Sequence, residues 1–177
     1  TLSGITDSAG NALDSTYSYS FTTVPDPLFN YQWYLQNSGQ TAFASTAGTS
    51  GYDMNWLTTY EAGYIGSGMT VAVVDSGLEI AHEDLNTNVV SGGSWDFVNS
   101  DNDPTSTSTT GDHGTSVAGI IAARGENGIG LIGVANKASL KGFNLLSSSQ
   151  TTAYYISSLG GSGASPNSSD VDIFNQS

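Results

Sequence analysis

The chain has 177 residues, of which 37% are hydrophobic and only 11% charged, where about 25% is ordinary for a soluble domain. Three Lys or Arg stand against 16 Asp or Glu, and the formal charge of -13 repels phosphate backbones and anionic membrane surfaces. Nucleic-acid binding is thereby excluded, and the absence of cysteine excludes disulfides and thiol chemistry. A cationic substrate or a divalent cation is the natural partner of so acidic a surface, although the same acidity also serves simply to keep a Ser/Thr/Gly-rich chain in solution. No apolar run approaches the ~18 residues of a membrane span. The opening Thr1-Leu2-Ser3 has no Met, basic stretch or apolar core behind it, so it does not read as a nascent start. An extracellular or cell-surface location is expected.

Residues 1–23 differ in character from the rest of the chain. Asp7 to Asn11 has turn chemistry, and Tyr17-Ser18-Tyr19-Ser20-Phe21-Thr22 alternates as a half-buried strand does. A lone hairpin cannot bury its face, so the segment resembles the closing strands of an immunoglobulin-like β-sandwich module, with a plain extension as the alternative. Val24-Pro25-Asp26-Pro27 breaks the pattern and marks a boundary. Residues 52–64 fit a helix with Trp56, Leu57 and Tyr60 on one face and Gly63 as its stop. Residues 69–74 form a continuous apolar run of the kind buried on both faces in a parallel sheet. Residues 99–111 are a polar loop, 115–123 a helix of small and branched residues, and 138–146 a second strand. A helix over 152–159, a flexible loop over 160–169 and a strand over 171–174 complete the set. Strands alternating with helices predict an α/β fold with a parallel sheet.

Two short segments carry chemistry. The apolar run Val71-Ala72-Val73-Val74 stops at Asp75-Ser76-Gly77, which puts a carboxylate where open α/β sheets bind ligands. Asp-Ser-Gly is also an ordinary turn that closes a strand. His113 stands just before the small-residue, helix-period stretch Gly114-Thr115-Ser116-Val117-Ala118-Gly119, near a helix start. The positive end of a helix disfavours the imidazolium, and a general base must be neutral. A surface histidine at a helix cap would look the same.

Taken together, Val71 to Gly77, His82-Glu83-Asp84-Leu85 and His113 to Gly119 resemble the subtilisin-like serine proteases. Asp26-Pro27-Leu28-Phe29 with Gln32-Trp33-Tyr34-Leu35 resembles the opening of the kexin/furin branch and its bacterial secreted relatives. The resemblance implies a subtilisin-like peptidase domain from residue 24 to 177, incomplete, behind a sandwich tail at 1–23. It implies that Asp75 orients the imidazole and that His113 takes and returns the serine proton. His82 is implied to be structural. Gly114-Thr115-Ser116-Val117-Ala118 looks like the family's nucleophile motif but occupies the place of the histidine motif, so Ser116 is not the nucleophile. That serine and the oxyanion asparagine are expected beyond Ser177, and the chain alone is expected not to cleave protein or peptide substrates. The remainder of the peptidase domain is the partner needed to complete the fold.

The resemblance also implies Ca²⁺. One loop carries over as Asp96, Asp101 and Asp103, a set of hard oxygen ligands at close spacing. A second site carries over as Asp26 and Asp84 with Asn127 and the carbonyls of Arg124, Ile129 and Leu131. A solvated acidic loop is the bland reading of each. Ser76 and Thr110 stand where the kexin/furin branch has further acidic residues, which leaves dibasic and broad specificity both open. The rival reading is a non-catalytic extracellular calcium-binding or adhesion module on a degenerate protease fold.

Overall fold

Three parallel strands organise the chain. In the computed structural model, which describes residues 6, 8–12, 26–107, 112–161 and 166–177, they are β1 (Thr70–Val74), β2 (Ser139–Phe143) and β3 (Ile173–Gln176). The sheet order is β2-β1-β3, with Thr70 opposite Ser139 through Val74 opposite Phe143, and Val71 opposite Ile173 through Val74 opposite Gln176. Helices α1 (Trp56–Glu61), α2 (His113–Ala122) and α3 (Thr152–Ser158) join them, with 3₁₀ turns at Phe29–Tyr31 and Leu145–Ser147. The expected α/β fold with a parallel sheet is present.

β1 is buried on both faces, and its side chains divide by alternation. Val71 and Val73 pack with Leu140 and with Ala118 and Ala122 of α2. Ala72 and Val74 pack on the other face with Phe97, Phe143, Leu145 and Tyr154 and Tyr155 of α3. Each fully buried valine contributes on the order of 1.5–3 kcal/mol, which is why an unbroken apolar run is favoured here over the alternation of a one-sided strand. The small residues of α2 let its backbone lie close on the sheet. A third cluster joins Leu35, Trp56 and Ile132 with Phe29, Leu57 and Tyr60, and anchors the segment before β1.

The helix expected over 52–64 is confined to Trp56–Glu61. Asp53 explains the loss of its first turn. One carboxylate oxygen accepts from Asn55 N–H at 2.8 Å and the other from Asn37 N–H at 2.8 Å, so local side-chain bonds replace the helical pattern. The helix stops at Gly63, as expected. Gly63 has φ +86°, and Gly63 N–H and Tyr64 N–H donate to Tyr60 O and Thr59 O, closing a Schellman end. α3 begins at a Thr151 cap whose hydroxyl accepts from Tyr154 N–H at 3.3 Å. The strand expected over 138–146 ends at Phe143 and the one over 171–174 is displaced to Ile173–Gln176. The alternating segment 17–22 and parts of the two loops, 108–111 and 162–165, lie outside the described residues.

The topology selects one place for chemistry. The crossover from β1 leads to β2 on one side, and the next leads back past β1 to β3 on the other. Residues at the carboxyl end of β1 therefore sit where the strand order reverses, the usual ligand crevice of an open α/β sheet.

Candidate active site

Asp75 is the first residue beyond β1. Its N–H donates to Phe143 O at 2.9 Å and its carbonyl accepts from Leu146 N–H at 3.0 Å, so the backbone is held by the end of β2 and the turn after it. Its side chain is buried, and Oδ1 accepts from Ser76 N–H at 2.6 Å. His113 opens α2 from the other side of the crevice. Its Nδ1 lies 3.0 Å from Asp75 Oδ1 and 2.9 Å from Oδ2. A carboxylate only accepts, so Nδ1 carries the proton and Nε2 of the neutral ring is left as an acceptor. The histidine side chain remains 62% exposed, so this acceptor edge is open to an incoming group.

The approach of α2 to the strand end depends on two glycines. A Cβ on Gly114 would collide with the Gly77 carbonyl oxygen and stand 2.9 Å from Asp75 Cβ. Gly77 itself has φ +151°, and a Cβ there would meet Pro104 O at 2.6 Å. Glu79 N–H donates to Thr115 Oγ1 at 3.0 Å and ties the same turn to α2. Ser116 takes no part in the pair. Its hydroxyl donates to Asp112 O at 3.1 Å within its own helix. His82 Nδ1 accepts from Asp84 N–H at 3.2 Å, a local structural bond.

The residues of the second calcium set come together. Asp26 and Asp84 are both buried. Asn127 Nδ2 donates to Asp84 Oδ1 at 2.8 Å and Leu131 N–H to Asp84 Oδ2 at 3.1 Å. Asp26 Oδ2 accepts from Glu126 N–H at 2.8 Å, and Oδ1 from Asn127 and Gly128 N–H at 3.1 and 3.3 Å. Arg124 N–H donates to Asp84 O at 2.8 Å, and Ile129 N–H to Asn127 Oδ1 at 2.8 Å. Burial pushes the Asp84 carboxyl up, and the Asp26 charge adds to the rise against hydrogen bonds from Asn127 and Leu131. Among the described residues neither carboxylate is ion-paired with Lys or Arg. The two acids are thus buried near one loop, and it is the N–H groups of Ile129 and Leu131, not their carbonyls, that are seen to engage Asn127 and Asp84.

The first set is arranged differently. Asp96 is buried, with Oδ1 accepting from Val98 N–H at 2.6 Å and Asn144 Nδ2 at 2.6 Å, and Oδ2 from Asn99 Nδ2 at 2.8 Å. Burial raises its pKa, but the bonds from Asn144, Asn99 and Val98 together outweigh burial and leave it lowered. Asp101 and Asp103 are exposed, and each accepts a backbone N–H two residues on, at 2.9 and 3.1 Å. The backbones of Asp96 and Asp101 are bridged. Among the described residues, no group of three or more His, Cys, Asp or Glu side chains is gathered closely enough to hold a metal by itself. Amides and carbonyls would have to complete either set.

Asn144 escapes a reading of the sequence alone. Its Oδ1 accepts from Phe97 N–H at 2.7 Å while its Nδ2 reaches Asp96. A signal for it exists: a polar residue ends the buried run of β2, as Asp75 ends that of β1.

The subtilase family (Peptidase_S8) matches residues 66–177. An Aeromonas extracellular serine protease from Aeromonas sobria is 47% identical over 154 residues, 86% of this chain and 24% of that protein. Neuroendocrine convertase 2 of Bos taurus is 38% identical over 126 residues, 70% of this chain and 19% of that protein. The chain thus spans a quarter or less of the length of these curated relatives. Among solved structures, the Aeromonas sobria serine protease superposes with a TM-score of 0.80 at 43% identity, covering 99% of this chain and 29% of that one. The same protease solved with the chaperone ORF2 gives a TM-score of 0.79 at 47% identity, covering 86% of this chain and 25% of that one. With the strand-end aspartate and helix-start histidine in contact and these matches in hand, the chain belongs to the subtilase family of serine proteases.

Proposed function

We propose that the chain is the Asp/His portion of a secreted, calcium-stabilised serine endopeptidase that hydrolyses peptide bonds through an acyl-enzyme. The observation that carries this reading is the contact of His113 Nδ1 with both oxygens of buried Asp75 at 2.9–3.0 Å. A serine hydroxyl beyond residue 177 attacks the scissile carbonyl, and His113 Nε2 accepts its proton. Asp75 stays ionised, fixes the ring and stabilises the imidazolium. His113 then gives the proton to the leaving amine as the C–N bond breaks, which leaves an ester on the serine. Water, deprotonated by the same Nε2, cleaves that ester and returns the serine proton. An asparagine beyond residue 177 supplies an oxyanion donor, and one such donor is worth ~100- to 1000-fold in turnover. Residues 1–177 alone hydrolyse nothing.

Residues 24–177 are proposed as the first part of the peptidase domain and 1–23 as the tail of a β-sandwich module. Ca²⁺ is proposed at Asp26, Asp84 and Asn127 with the carbonyls of Arg124, Ile129 and Leu131, and at the Asp96–Asp101–Asp103 loop. Bound there, the cation supplies stability rather than a chemical step. Secretion is supported by the similarity to a protease named as extracellular. No helix among the described residues is long and apolar enough to cross a membrane.

A serine-directed fluorophosphonate probe on the longer gene product tests the reading. One serine outside residues 1–177 takes the label, and His113→Ala abolishes labelling. A label on Ser116, or equal labelling of the His113→Ala variant, overturns it.

A further inference from the structure

Asp75 is held in place from three directions, and two of them are accounted for by the sheet and by α2. The third is the 3₁₀ turn Leu145–Ser147 that follows β2. Leu146 N–H donates to Asp75 O at 3.0 Å. Ser147 Oγ donates to Ser76 O at 2.6 Å, across 71 residues of sequence. The two bonds grip consecutive peptide units on either side of Ser76. Its N–H is the one that donates to Asp75 Oδ1 at 2.6 Å. That donor lies in the Asp75–Ser76 peptide, which Leu146 holds directly, while Ser147 holds the Ser76–Gly77 peptide that follows it and so limits rotation between the two. The turn itself is anchored at its start by buried Asn144, whose amide spans Phe97 N–H and Asp96 Oδ1.

We infer that Ser147 is a positioning residue for the Asp75–His113 pair, acting through the Ser76–Gly77 peptide that links the Asp75 turn to the start of α2. The inference rests on the proposed relay. Ser147 is exposed, so it adds little to the core, and its hydroxyl bond is short and directed at the turn that carries the relay carboxylate. Nothing in local structure requires the bond: the hydroxyl of a solvent-facing serine is equally well satisfied by water, and what the bond adds is a fixed Ser76–Gly77 peptide, one unit beyond the one whose N–H donates to Asp75. Ser76 and Ser147 also line one side of a polar cavity of about 210 Å³ bounded by Asp96, Asn99 and Asn144. A role in gripping substrate is therefore the alternative that the experiment must separate.

The test compares Ser147→Ala, Ser147→Thr and Asp75→Asn in the longer gene product, by steady-state hydrolysis of a peptide amide and by thermal melting. Losing one directed hydrogen bond corresponds to about a 3- to 10-fold effect. Ser147→Ala is expected to lower kcat by that factor, with KM and the melting temperature unchanged, and Ser147→Thr is expected to restore kcat. An unchanged kcat in Ser147→Ala, with Asp75→Asn inactive, overturns the inference and leaves the relay standing. A change in KM alone assigns Ser147 to substrate contact, and a loss that tracks the melting temperature makes it structural; either overturns positioning. Full activity in Asp75→Asn overturns the relay itself.

Discussion

The contact between Asp75 and His113 depends on how closely two backbones approach, and Gly114 is the residue that decides it. A methyl group at this position would run into the Gly77 carbonyl. The helix start would then have to withdraw, taking His113 with it. Gly114→Ala is expected to destabilise the fold by about 1–3 kcal/mol, as overpacking does, and to lower kcat by more than the loss of folded protein explains. Melting and active-site titration measure the two parts separately. Ser116, one turn along α2, has no such role, because its hydroxyl is engaged with Asp112 O. Ser116→Ala is expected to keep kcat/KM within about twofold of the parent, the ordinary range for a surface change. A loss of more than 100-fold would restore Ser116 as a candidate nucleophile.

At the scale of elements, the loop that follows α2 brings two acids together and sets a pH dependence. Asp84 holds its proton more tightly in the folded chain than in the unfolded one, chiefly because it is buried. Its ionisation therefore costs stability, and the cost grows as pH rises from its ordinary value through the raised folded one. Asp96 has the opposite sign. Its pKa is lowered by its hydrogen bonds, so its contribution is present above the ordinary carboxylate value and is lost as pH falls through the lowered one. In the window from the ordinary carboxylate value up to the raised folded one, Asp84 lowers stability while the Asp96 contribution is already fully present. With a chelator present, the melting temperature of the longer product is expected to fall across that window, and Asp84→Asn to flatten the profile. Calcium at ~100 times its dissociation constant adds about 2.7 kcal/mol and should abolish the fall. A chelated profile that rises steadily with pH above the ordinary carboxylate value would contradict the proposed role of Asp84.

These elements differ in how legible they are in the sequence. β1 and α2 are legible because their burial leaves a pattern: an unbroken β-branched run for the first, small residues at helical spacing for the second. α1 is overextended by its pattern because the bonds that melt its first turn come from Asp53, and one of them reaches back to Asn37. No local propensity reports a long-range carboxylate contact. Asp75 and His113 are legible as a pair through motif and position, while Asn144 leaves only the faint signal of a polar residue at a strand end and Ser147 none, since their contacts exist only once β2 is laid beside β1.

For the whole molecule, the informative feature is asymmetry at the two sides of the sheet. The outer side of β2 is covered by bridges from Val89 and Trp95. β3 has no strand on its outer side among the described residues, and Ile173 is 52% exposed. An open parallel edge with apolar side chains templates further pairing. Residues 24–177 produced alone are expected to melt without a cooperative transition and to self-associate, as read by calorimetry and light scattering. A cooperative, monomeric transition would mean that this part folds independently of the remainder of the peptidase domain.

The most direct measurement of the central claim is the turnover of a peptide amide by the longer gene product and by its Asp75→Asn variant at neutral pH. The relay predicts a loss of about 10⁴-fold in kcat, because an amide facing Nδ1 no longer fixes the ring or stabilises its cation. Equal turnover by the two proteins would mean that the contact between Asp75 and His113 has no part in the chemistry.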